Sequence, residues 1–227
     1  MKAAPARAFT TVIPPPALLR RVTRWVENPE LGRERGPVGL LRAWVELLGR
    51  PRSFFGGKVA PGDQAPGLTF AAAVILVAEG GRIAVGGTYP VAGGQPTASA
   101  VLWVLLVTVL VTPAGIHLTA ALQTLVLMAT VEDRAGVGET VQVICYALAP
   151  CVFLWVPSVW VQSAVVLWGV GLLVVGTATV HDIPLAKAVP VVAVPALVAF
   201  GYGLGGNDAL LAAGRRVWDA LAEIARV

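Results

Sequence analysis

Glu79 and Arg82 stand three residues apart in an otherwise apolar run. Opposite charges at that spacing share a helix face and can pair. Inside a segment that crosses lipid, such a pair is a candidate gate or substrate contact, because a lone charge there is costly. Gly80-Gly81 and Gly86-Gly87 lie close by, so both side chains could instead snorkel to headgroups and be structural. His117 follows Pro113 by one helical turn, near the Val109 carbonyl that the proline deprives of its donor. Neither Ala120 nor Ala121 could help His117 ligate a metal. Pro150 frees the Tyr146 carbonyl in the same way, and Pro190 and Pro195 free those of Ala186 and Val191. In lipid each freed carbonyl needs a donor from a neighbouring helix or water. Interrupted helices serve either as hinges beside a transport path or as fixed kinks that aid packing. The candidate positions are therefore Glu79, Arg82, Pro113, His117, Tyr146 and Pro150.

Positive signs of catalysis are missing. The chain has two histidines and no HExxH, no GxSxG and no GxxxxGK[ST], so zinc hydrolysis, a nucleophile elbow and a phosphate loop are not indicated. No catalytic residue, cofactor or metal is expected. Cys145 and Cys151 are six apart in one apolar run. On one helix they would point about 120° apart, too divergent for a mutual disulfide. They read as small lipid- or core-facing hydrophobes.

The elements that must position these residues follow from where charge is absent. Between Gln64 and Gly206 the chain carries only eight formal charges, most of them clumped at Glu79/Arg82, Glu132–Glu139 and Asp182/Lys187. A bilayer core excludes charge and water does not, so this partition reads as an all-α integral membrane protein. The expected spans are Leu68–Val85, Ala98–Val131, Thr140–Val156, Val159–Val180 and about Leu185–Leu204. The second is 34 residues long. At about 51 Å it exceeds the roughly 30 Å hydrocarbon core. One helix kinked at Pro113 is expected, its second half, with His117, Thr119, Gln123 and Thr124, emerging toward the cytoplasm.

Juxtamembrane amphipathic helices flank this bundle of about five spans. Leu41, Trp44, Val45 and Leu48 repeat at helical spacing within Val38–Arg50, as expected of a helix in the headgroup plane or of one packed under the bundle. A further short basic helix is expected over Ala17–Glu27, after a disordered Met1–Pro16. Asn207 is placed to cap a last amphipathic helix running to Val227. The organisation is thus a basic segment over 1–63, a membrane domain over 64–206 and a C-terminal helix over 207–227. Eleven of the 17 Lys and Arg precede Pro61, which puts the N-terminus in the cytoplasm by the positive-inside rule and the C-terminus outside after five crossings. The N-terminal segment offers itself to anionic lipid or protein partners. The chain carries no nucleic-acid recognition motif, and nucleic acid is not an expected partner. Gly201 and Gly205 have GxxxG spacing, which permits close helix contact within one chain or in a homo-oligomer.

One ordered set of short motifs goes further. Trp44, Leu47-Leu48, Arg50-Pro51 and Phe54-Phe55 precede the spans. Gly138-Glu139-Thr140, Tyr146, Ala149-Pro150, Trp168-Gly169, Gly171, His181 and Lys187-Ala188 then follow in order. Over about Val38 to Gly205 this resembles the prokaryotic branch of the Ypt-interacting protein (Yip) domain family. The resemblance implies a multispanning helical membrane protein with a cytoplasmic N-terminus, in the plasma membrane if the chain is prokaryotic. Eukaryotic members bind Rab-type GTPases and act in vesicle traffic. Their Asp-Leu-Tyr-Gly-Pro segment is missing here, where Arg52-Ser53-Phe54-Phe55 stands instead, so the resemblance implies the architecture and not that partner. Tyr146 and Pro150 match the family pattern and are expected to shape the third helix. The expected function is a non-enzymatic membrane scaffold. The alternative is a small transporter or channel using Glu79, Arg82 and His117.

Overall fold

The computed structural model describes residues 36–226. The expectations for Met1–Pro16 and Ala17–Glu27 lie outside those residues. Among the described residues the chain is helical, without strands. Two helices come first, α1 (Gly36–Gly49) and α2 (Pro51–Lys58). Then come α3 (Ala65–Ala84), α4 (Pro96–Leu106) and α5 (Thr112–Thr130), α4 and α5 being joined by a π-helical turn at Val107–Val111. α6 (Val137–Ala147) leads into a 3-10 turn at Ala149–Phe153, and α7 (Val159–Val180) follows. α8 (Leu185–Ala196), a π-helical stretch at Leu197–Gly203 and α9 (Gly206–Ile224) complete the fold.

Four helical stretches are long and apolar enough to cross a membrane: Ala65–Ala84, Pro96–Thr130, Val159–Val180 and Leu185–Gly203. The expected third span differs. Its regular helix stops at Ala147, because Pro150 cannot supply the N–H that would continue the ladder, and the chain tightens into the 3-10 turn. The Val137–Phe153 stretch is accordingly short for a crossing. It is also the centre of the molecule. Every residue from Thr140 to Cys151 is buried, with α3, α5 and α7 packed around it.

The long run is one helix, as its length and Pro113 lead one to expect. The proline ring would collide with the Val109 carbonyl in a regular helix. The π turn just before it relieves that collision, Val107 O accepting instead from the Thr112 N–H and, at 2.8 Å, from Thr112 Oγ1. The second half packs within the bundle on one face. Thr119 and Gln123 are buried, and α5 packs on α6 and α8. Apolar side chains stay exposed along the whole of this helix, Leu102 on α4, Val109 and Leu110 in the turn, and Leu118 and Leu125 on α5.

Residues 36–58 are part of the bundle. α1 turns its smallest side, Gly39, Ala43 and Leu47, inward, while Val38, Leu41 and Val45 stay exposed. Phe54 and Phe55 of α2 are fully buried. Phe54 meets Tyr146 edge-on with ring centroids 4.9 Å apart, and Phe70 meets the same tyrosine at 5.3 Å, distances within the favourable range for aromatic pairs. Lys58 and Glu46 pair at 3.3 Å and tie α2 to α1. Close approach rather than water exclusion holds helices together in lipid. Gly176 supplies such an approach, since a Cβ there would meet Phe55 and Val143 at 2.8 Å.

Gly205 takes φ 70° and begins α9 as its N-cap, so Asn207 lies inside the helix and does not cap it. The Gly201/Gly205 spacing therefore spans the turn out of the π-helical stretch and not one continuous helix face. Leu211, Val217, Trp218, Leu221 and Ile224 remain exposed along α9.

Candidate functional site

At the end of the bundle where α3 finishes and α7 begins, a cavity of about 270 Å³ opens. Glu79 and Arg82 line it from α3, Leu154 from the segment after the 3-10 turn, Gln162 and Val166 from α7. Gly203–Gly206 and Ala209 close the far side. The i, i+3 spacing of the pair does what the sequence suggested. Arg82 Nη2 and Nε donate to Glu79 Oε2 at 2.6 and 3.2 Å, and Nη1 donates to the Thr88 carbonyl at 2.6 Å. The turn that delivers Thr88 has no room for a side chain at Gly87, where a Cβ would lie 2.7 Å from Arg82 Cγ. Trp103, from α4, donates its indole N–H to the same carboxylate oxygen at 3.3 Å. The side chains of Glu79 and Arg82 are 22% and 32% exposed, and both line the chamber.

Gln162 turns its amide nitrogen to the Leu154 and Val156 carbonyls at 3.4 and 3.2 Å. That fixes the hairpin into α7 and leaves the amide oxygen to the chamber side. Trp103 was not legible as a partner of Glu79, nor Gln162 as lining the same cavity, because each lies on a different helix and neither forms a short-range motif with Glu79.

The other candidates go elsewhere. His117 is exposed, with Nδ1 2.7 Å from the Pro113 carbonyl and Nε2 3.1 Å from the Gln64 side-chain amide. It ties α5 to the start of α3 and does not reach Glu79. Tyr146 sits in the aromatic core between Phe54 and Phe70. Near Pro150 the carbonyl that finds a donor across the bundle is that of Ala149, which accepts from Trp44 Nε1 at 2.8 Å. Trp44 also stacks edge-on to Phe153. α1 is thereby anchored to the interrupted third helix. Cys145 and Cys151 are buried free thiols of the core.

A second polar cluster lies at the opposite end of α7. His181, read from sequence as a loop residue, folds inward and is 1% exposed. Its Nε2 is 3.3 Å from Thr140 Oγ1, whose single proton has the Gly136 carbonyl at 3.2 Å as an acceptor. His181 then donates from Nε2, and Nδ1 has no partner among the described residues. Burial, followed by the positive charge of Arg134, pushes the His181 pKa down to about 4, so the ring is neutral. Beside it Gln123 Nε2 donates to Thr177 Oγ1 at 2.7 Å. Gln123 Oε1 and Thr124 Oγ1 are buried without partners among the described residues.

Across this architecture, the sequence profile of the Yip1 domain matches residues 45–206. The chain belongs to the Yip1 domain family. It is a multi-pass membrane protein by that family and by its apolar helices. The matched Yip1 region contains Glu79, Gln162 and Gly206 of the chamber, Trp103 behind Glu79 and all of the His181 cluster. Trp44 and most of α9 lie outside it. No curated protein and no solved structure matches the chain. No cluster of three or more metal-ligating side chains occurs among the described residues.

Proposed function

We propose that this Yip1-family protein is a non-enzymatic scaffold that organises lipid or protein partners at a membrane. The observation that carries the reading is the anchoring of α1 and α2. Trp44, Leu47, Phe54 and Phe55 bind this pair into the core, so the basic segment over residues 1–35 joins the chain at a helix pair fixed to the bundle. Residues 1–35 hold seven basic and three acidic side chains, a balance that draws anionic lipid or acidic partners and argues for a cytoplasmic location. In a prokaryotic cell the membrane is the plasma membrane. Crosslinking and co-purification from native membranes should recover a partner protein or a specific lipid, and deletion of residues 1–35 should lose it. A full chain and a deletion mutant that recover the same material would overturn the scaffold reading.

A small transporter or channel is the second reading, favoured by a charged chamber beside interrupted helices. It is weaker, because Glu79, His117 and Tyr146 do not converge and the buried α6 fills the bundle axis. Solute or ion flux in proteoliposomes that Glu79→Gln abolishes would put it first.

A further inference from the structure

The geometry points to a binding site for a zwitterion: the chamber between α3, α7 and α9 takes a small group bearing both an ammonium and a phosphate. This goes beyond the scaffold reading and does not depend on it.

Charge sets the first constraint. Glu79 and Arg82 neutralise each other. An occupant with net charge would bring an uncompensated ion into a partly desolvated site, which is costly. A zwitterion brings none.

Hydrogen-bonding capacity sets the second. All three bonds that reach Glu79 end on Oε2, which leaves Oε1 as an acceptor. Gln162 has its nitrogen engaged and its oxygen available. Two such acceptors suit an ammonium, which is donor only. Arg82 has five N–H groups by its chemistry, and its bonds to Glu79 and Thr88 engage three of them. The remaining guanidinium N–H groups suit an anion. Gly206, the first residue of α9, lines the same wall, and no side chain caps that helix start. Its backbone N–H groups add to what Arg82 offers a phosphate.

Size and depth agree. A water's share of liquid volume is about 30 Å³, so a cavity of about 270 Å³ has room for a group several times the size of a water. Glu79 and Arg82 are five and two residues from the end of α3 at Ala84. That is the level at which a spanning helix meets the headgroup layer. The same ammonium–phosphate chemistry occurs in a zwitterionic lipid headgroup and in a free aminoalkyl phosphate.

Native mass spectrometry of the purified full chain in mixed micelles tests both sources. The probes are dioleoylphosphatidylethanolamine, dioleoylphosphatidylglycerol and soluble phosphoethanolamine. Retention of the ethanolamine lipid should exceed that of the glycerol lipid, and Glu79→Gln should weaken it about tenfold, the worth of one charge-assisted hydrogen bond. Ala209→Leu, which fills the cavity from α9 and leaves the ion pair alone, should weaken it as much. Saturable binding of phosphoethanolamine without any lipid preference would assign the site to a soluble zwitterion. Equal retention of both lipids with no binding of phosphoethanolamine, or binding that both variants leave intact, overturns the proposal. The described residues that line the chamber all lie outside 1–35, so the two point variants test this site while the deletion tests the scaffold.

Discussion

The two ends of α7 solve the problem of polarity in an apolar protein in opposite ways. At its start the chamber keeps formal charges, joins them to each other and gives them a partly open wall. At its end Gln123, Thr140, Thr177 and His181 are buried and uncharged, and three of the cluster's polar atoms, on Gln123, Thr124 and His181, lack partners among the described residues. Ions are tolerable where a partner and some solvent remain, and intolerable where neither does. The first end is therefore built for exchange with its surroundings, the second for staying shut.

Swapping the two chemistries is the sharpest way to break the comparison. Gln123→Glu would put a carboxylate into the shut end and remove the donor to Thr177. It should destabilise the protein by about 3–5 kcal/mol above neutral pH, partly recovered in acid as the carboxyl protonates. The reciprocal Glu79→Gln should shift the melting temperature in detergent far less. Comparable losses at the two ends would erase the distinction.

Acid should expose the difference next. The His181 pKa is depressed to about 4 in the fold, against about 6.5 unfolded. The neutral ring therefore contributes stability that is complete above about pH 6.5 and is lost as pH falls through about 4. Melting temperatures measured over that window should fall with acid in the native chain, and the slope should shrink in His181→Gln. An unchanged slope would mean that another group carries the titration. The smallest effect belongs to Trp103→Phe, which keeps the ring and removes one hydrogen bond to Glu79. Its cost should be about 1 kcal/mol or less, and indole fluorescence of the native chain should respond to Glu79→Gln.

Much of this was legible in residue order. The Val159–Val180 helix has the bounds that its apolar run suggests, and the Glu79/Arg82 spacing foretold their pairing. The rest depended on information that spacing does not carry. In α1 helical spacing singles out Leu41, Trp44, Val45 and Leu48; Trp44 and Leu48 pack on the core, Leu41 and Val45 stay exposed, and the buried side is Gly39–Ala43–Leu47, because close approach favours small residues. Pro150 marked an interruption, but only packing shows that Trp44 supplies the donor there. His181 sits among loop signals and is buried where Thr140 arrives from α6 to meet its Nε2.

The π turn at Val107–Val111 has one more consequence, for angular phase. Trp103 meets Glu79 and Gln123 meets Thr177 from the same long helix, twenty positions apart. In an unbroken α-helix those side chains would point about 200° apart, on opposite sides. A π turn absorbs roughly one residue without advancing the rotation and brings the angle to about 100°. Both side chains can then face the bundle at once. Pro113 thus works as a rotational spacer: it sets the twist at which a single rod engages the open end and the shut end of the same protein.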